Sequence, residues 1–436
     1  MDSLIKDIYA AFSTSPLTVA QKELYIDFNE VRGGANVVNT LASRIRLQSG
    51  ATCQVLAGHD GSGKSTELYR LQGELESGEE KYFVVFCEAE KDIDRNDVDF
   101  PEVLIAIIRQ MTEQLQQRVG ITLQPGYFKD RLERLKDLLS SEVDFEKFEL
   151  GAGLLKLSGV IKSSPDSRMA IRKLLEPDTS NLLGAANDLI GKAKLELSKK
   201  GYQGLVILVD DLDKMILRQH EGAECSTQEY LFIHRSAQLR AFNCHVIYTI
   251  PLELAYSHQE ATIEQLYGRT PVIPMVKIFT PPPANDPYPA GIELFRQVIQ
   301  KRLASANAHE FDLFQDENVR DELILLSGGQ PTELMSLVRE SIISYSLPIT
   351  RNSLARARKE GRRTYARNFG PEHWAILEEV RQLGTLTRSI ENEKAFRQLL
   401  ESRAILLYIN DEEWYGINPF AQDMKPPTDD CSVTFF

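Results

Sequence analysis

Gly58-His59-Asp60-Gly61-Ser62-Gly63-Lys64-Ser65 satisfies the pattern G-x-x-x-x-G-K-[ST] at every required position. Cys53-Gln54-Val55-Leu56-Ala57 before it reads as a short buried strand. Residues 65–76 after it carry Leu68, Leu71 and Leu75 at helical spacing. Strand, glycine turn and helix in that order aim successive backbone N–H groups at one point, beside the positive end of a helix dipole. Phosphate binding is the chemistry such a turn serves. Gly58, His59, Asp60, Gly61, Ser62, Gly63, Lys64, Ser65 and Thr66 are the expected nucleotide-binding set, with Lys64 bridging phosphate oxygens and the Ser65 hydroxyl placed for Mg²⁺.

Gly204-Leu205-Val206-Ile207-Leu208-Val209 is continuously apolar, as a strand covered on both faces should be, and it ends in Asp210-Asp211. This pattern predicts Asp210 as the second Mg²⁺ ligand and Asp211 as the carboxylate that polarises an attacking water. Asp213 is expected to cap the following helix. His245–Ile250 reads as another buried strand. Its Thr249 has two readings, a sensor of the terminal phosphate or a satisfied strand end. Residues 82–88 and 272–278 complete five parallel strands alternating with helices, an α/β class.

Leu326-Ser327-Gly328-Gly329-Gln330 spells the signature of ABC-transporter ATPases, but it stands far beyond Asp210-Asp211, whereas in that family it precedes the acidic strand. With Pro331-Thr332-Glu333-Leu334-Met335 it resembles instead the helical lid of AAA+ and STAND ATPases, the relatives of origin-recognition initiators and NLR-type switches. Gly329-Gln330-Pro331 matches the G-x-P turn of those lids. The resemblance implies that Pro331 lies near adenine, that Val31 and Arg32 belong to a segment enclosing the base, and that the cofactors are ATP and Mg²⁺. Thr332 stands where many AAA+ relatives have a sensor arginine, which favours the STAND-like version. A plain glycine–proline turn is the alternative.

The expected architecture is a five-stranded parallel P-loop NTPase sheet with a helical insertion, then a helical lid and a winged helix. Residues 1–280 form the nucleotide domain with an insertion at about 95–200, 281–350 the lid, 351–425 a basic helix and winged helix, and 426–436 a tail. Prolines 281, 282, 283, 287 and 289 mark the linker into the lid. Within the insertion, 100–119, 127–139 and 182–197 read as helices, and 143–161 as a hairpin or irregular arm. Arg168, Arg172, Arg235, Arg240 and Arg269 are candidates for action on a neighbouring copy's nucleotide.

Length, 436 residues, implies two or three domains, and 42% apolar residues are globular composition. A net charge of −13 argues against a surface that is basic throughout. Five scattered cysteines form no C-x-x-C pair, so neither a disulfide framework nor a thiolate zinc site is expected. No leader pattern and no bilayer-length apolar run are legible, so a cytoplasmic protein without membrane partners is expected. Against the acidic average, 351–367 carries Arg351, Arg356, Arg358, Lys359, Arg362, Arg363 and Arg367 with Glu360 as its one acid. The hairpin tip that follows is acidic (Asp411, Glu412, Glu413), the wrong sign for a phosphate-binding wing. His373 is a minor candidate for a phosphate contact, by position alone.

These readings converge on a slow ATPase switch that assembles with itself or a separate effector protein, and the resemblance points to prokaryotic stress signalling or anti-phage defence. A DNA-binding initiator or transposition-type ATPase working through 351–367, and a non-hydrolysing nucleotide scaffold, stay open as alternatives.

Overall fold

Five apolar runs pair in parallel in the order β2-β3-β4-β1-β5: β1 is Cys53–Gly58, β2 Phe83–Glu88, β3 Leu205–Asp210, β4 His245–Ile250 and β5 Val272–Ile273. The computed structural model describes residues 3–34, 36–123, 158–159, 162–175, 179–220, 223–344, 347–365 and 369–426. The expected helix 127–139, nearly all of the arm 143–161 and the tail beyond 426 lie outside the described residues.

Both faces of the sheet are covered, which is why its strands read as unbroken apolar runs. Alternate residues serve opposite faces. Val55, Val85, Ile207 and Val246 pack under the helices Phe100–Val119 and Thr179–Lys199. Leu56, Val84, Leu208 and Ile247 pack under Val37–Arg46 and Lys64–Glu76. β4 lies between β1 and β3, so the phosphate loop and the Asp210-Asp211 pair emerge at the same carboxyl edge, one strand apart. Ligands of open α/β sheets bind at that edge.

The fifth strand is shorter than the sequence suggests. Pro274 offers no N–H to the ladder, so pairing stops at Ile273 rather than continuing to 278. The freed backbone serves three other parts of the molecule. Met275 N–H donates to Leu407 O, Val276 N–H to Gly329 O, and Lys277 N–H to Val31 O.

Helices Pro289–Ser305, Glu317–Leu326 and Pro331–Ser344 form a second core with Ile8 and Phe12 of the N-terminal segment, together with Phe28 and Val31. Ile8 and Phe12 therefore pack on the lid, although they precede the sheet. Helices Arg351–Tyr365, Pro371–Leu383 and Glu393–Glu401 lead into an antiparallel hairpin of β6 (Ile405–Ile409) and β7 (Glu413–Ile417). Phe396, Leu399 and Leu400 share one apolar core with Leu252 and Leu254 of the sheet unit. Among the described residues no helix is long and apolar enough to cross a membrane.

Candidate nucleotide-binding site

The phosphate loop has the conformation its glycines permit. Gly61 and Gly63 hold φ of 77° and 103°, and Gly63 is the residue from which the helix Lys64–Glu76 starts. Lys64 Nζ curls back to donate to Gly58 O at 2.8 Å and His59 O at 2.7 Å. Its third partner is Asp213 Oδ2 at 2.9 Å, in a pair only 5% exposed on each side. Asp213 therefore does not cap a helix. Asp211 adopts the left-handed conformation (φ 67°), and the short turn Leu212–Lys214 brings Asp213 back to face the loop.

Asp210 is buried behind Ser65, whose hydroxyl donates to it. Burial first, then Asp211 and Asp213, push its carboxyl up to about 7. Asp211 is paired with Lys214 Nζ at 2.8 Å, and burial raises its carboxyl too. Three carboxylates thus converge with two ammonium groups between them. That surplus of negative charge beside a serine hydroxyl suits a divalent cation. Ser65 and Asp210 would hold Mg²⁺ here, and the ion would supply charge neutralisation for phosphate oxygens.

A cavity of about 250 Å³ opens in front of these groups. Of the residues singled out from sequence, it brings together Asp60, Gly61, Ser62, Gly63, Lys64, Ser65, Thr66, Asp211, Arg32 and Pro331. Arg32 Nη2 donates to Ser62 O at 2.6 Å and its guanidinium lies 5.2 Å from the Phe28 ring centroid. Val31 faces the lid core instead. Thr249 is fully buried and off the cavity wall; its hydroxyl sits 3.5 Å from the Asp213 N–H, so it supports the Asp213 turn rather than meeting a ligand.

His59 turns away from the cavity altogether. Its Nε2 accepts the Leu407 N–H of β6 at 2.9 Å. A backbone N–H can only donate, so the ring proton sits on Nδ1. Burial, then Lys64 and Arg403, hold this imidazole down to about 3. The lid turn grips the same loop from another side. Gln330 Nε2 donates to Asp60 O at 2.7 Å, and a Cβ on Gly61 would come within 2.3 Å of that nitrogen.

No protein-family profile matches this chain, and neither does any curated protein. Among solved structures, a Walker-type ATPase of Pyrococcus abyssi aligns over 94% of this chain and 98% of its own, at 14% identity and a TM-score of 0.43. The ORC2 protein of Aeropyrum pernix in ADPNP–ADP complexes aligns over 94% and 93%, at 10% identity and a TM-score of 0.42. The ORC1 protein of the same organism in complex with DNA aligns over 92% and 96%, at 12% identity and a TM-score of 0.35. The α/β P-loop NTPase fold itself is plain in the strand order and the loop geometry.

Other expectations are redistributed. Arg168 pairs with Asp94 and Asp97, Arg172 with Asp97 and Glu102, and Arg235 with Asp99, all within this chain, so none is held out toward a neighbour. Arg240 and Arg269 are exposed. His373 is buried at a helix start, bonded to Gly370 N and Gln398 Oε1, away from the cavity. Asp213, Arg302 and the segment Ser13–Leu17, which also line the cavity, were not singled out from sequence as binding groups. Only Asp213 had a local signal, as the third acid after β3.

Proposed function

We propose that this chain is a Mg²⁺- and ATP-dependent molecular switch of the AAA+/STAND kind, a slow ATPase whose C-terminal hairpin docks on the phosphate loop in one of its states. Lys64 and the loop N–H groups hold phosphates, Ser65 and Asp210 hold the metal, and Asp211 orients water. The observation that carries the reading is the bond from Leu407 N–H to His59, a residue inside the phosphate loop. Tyr408 Oη donates to Gly328 O of the lid turn, and Arg403 stands 3.5 Å from Asp60, so one hairpin touches the loop and the lid together. Nucleotide that changes loop or lid thereby biases the hairpin, and differential affinity for two arrangements is all a switch requires. The readout is assembly with further copies or a separate effector protein, in keeping with a role in prokaryotic stress signalling or defence.

The test is pH. His59 is neutral when docked, held far below its ordinary 6.5, while a released ring regains that value. The released state thus binds the extra proton between 6.5 and about 3, so docking is at full strength above 6.5 and weakens as pH falls through that window. The loss is about 1.4 kcal/mol per pH unit once below the released value. The protection of β6 amides, corrected for intrinsic exchange, should fall between about pH 7.5 and about pH 5.5, and nucleotide release should quicken with it. His59→Asn keeps an acceptor without titrating and should abolish the pH effect. Equal β6 protection at both pH values in the wild type would reject the docking role.

A second reading has its own observation. Arg351, Arg356, Arg358, Lys359, Arg362 and Arg363 are all exposed on the helix Arg351–Tyr365, whose Leu354 is buried. A phosphate backbone is the natural complement of such a face. On that reading, Arg362→Ala with Arg363→Ala should lower DNA affinity and reduce the salt dependence by about two counterions. Salt-dependent binding that survives the double substitution removes this helix from the case.

A further inference from the structure

The acids around the cavity are nearly all answered. Asp213 meets Lys64, Asp211 meets Lys214, and Glu67 meets Arg70. Two guanidinium groups are left over. Arg32 and Arg302 are 8% and 7% exposed, line the cavity, and have no ion pair among the described residues. The Nε of each is buried without a partner. A desolvated cation with no counter-charge is costly to keep, so a protein that keeps two at one cavity has a use for them there. Arg32 is bonded to the phosphate loop itself. Arg302 comes from the lid helix Pro289–Ser305, and its Nη1 donates to Ala11 O at 2.6 Å.

Its surroundings indicate what it meets. Val298, one helical turn earlier, lines the same cavity with Leu24, Ile26 and Met335. Apolar side chains of this kind suit the faces of a purine ring and offer nothing to a phosphate. Small-molecule sites of this build take their specificity from the few polar groups placed among apolar walls. A guanidinium has only donors, so its complement on the base is an acceptor.

We propose that Arg302 is the base-reading residue of this site, its guanidinium donating to an acceptor on the edge of a purine whose phosphates lie at Lys64. The proposal rests on the nucleotide reading above. It gives the lid a direct hold on the ligand from the helix Pro289–Ser305, whereas the G-x-P turn presents Thr332. Because Arg302 also holds Ala11, base contact and the N-terminal segment over the cavity are joined through one side chain.

The experiment compares ATP with inorganic tripolyphosphate, which has the phosphates and no base, in titration calorimetry with Mg²⁺. Arg302→Met keeps the stem and removes the donors. It should weaken ATP by about tenfold or more while leaving tripolyphosphate within about twofold of wild type. Arg339→Met is the control for the tether. Arg339 holds Tyr9 O at 3.0 Å and covers the Tyr9 ring, but does not line the cavity, so ATP affinity should hold. Parallel loss of both ligands in Arg302→Met, or an equal ATP loss in Arg339→Met, overturns the assignment in favour of a structural role. Wild-type affinity for ATP in Arg302→Met overturns it alone. A wild-type chain that takes neither ligand overturns the nucleotide reading and this assignment together.

Discussion

Lys64→Met should cost the protein nucleotide affinity and folding stability at once, and the two losses should separate in a double variant. Lys64 gathers Gly58 O, His59 O and Asp213 in the mouth of the loop. On the proposed reading, a phosphate entering the loop competes with Asp213 for the ammonium. Removing the cation takes a charge-assisted contact from each bound phosphate oxygen it would meet, and nucleotide affinity should fall by roughly a hundredfold. It also leaves Asp213 buried at 5% exposure, with its Oδ1 already without a partner. Breaking a buried pair by removing one member costs about 3–5 kcal/mol. Lys64→Met with Asp213→Asn removes both charges, and most of the stability should return while affinity stays lost. Denaturant melts and calorimetry on the three proteins decide it. A single variant as stable as wild type would mean that the Lys64–Asp213 pair is not closed in solution.

Arg397→Ala should release the C-terminal unit more than any other single change at its interface. Arg397 lies on the helix Glu393–Glu401 and reaches into the sheet unit, where Nη1 meets Glu229 Oε1 at 2.9 Å and Nη2 meets Gln228 Oε1 at 3.2 Å. The pair is 7% and 9% exposed. Burial works against the Glu229 carboxylate, but the Ser226 N–H and Arg397 outweigh it and hold the group below its ordinary range. Without Arg397 the carboxylate keeps only its capping bonds to Ser226, and docking should weaken by about 3 kcal/mol. The unit also buries Phe396, Leu399 and Leu400 against the sheet, so it should loosen rather than unfold. The expected signature is faster hydrogen exchange in β6 and β7, with quicker nucleotide release. Arg397→Met with Glu229→Leu replaces the ion pair by apolar contact and should restore protection. Slow exchange retained in Arg397→Ala would show that the apolar contact alone carries the docking.

The turn Gly58–Ser65 is legible in the sequence because glycine spacing reports backbone conformation directly, while the direction His59 takes within it is not. The same holds for β3, where an unbroken apolar run followed by two acids states both burial and charge. Thr249 shows where such reading stops. Its position at a strand end was right, but the turn at Asp211 decides which way the edge faces, and that turn gives the hydroxyl to Asp213. Pro274 ends β5 at Ile273, where the apolar run continues to 278.

Amino-acid order by itself determined the α/β P-loop NTPase fold, the glycine turn after β1 and the acids at the end of β3, since each is set within a few neighbouring residues. Tertiary structure alone decided the partners of those groups. His59 meets Leu407, Lys64 meets Asp213, Asp60 meets Gln330, and Arg302 closes a cavity whose floor is far away in sequence. These pairings depend on how the sheet, lid and hairpin pack in space. Local spacing holds no record of them, because burial and charge balance are properties of the assembled surfaces rather than of any one segment.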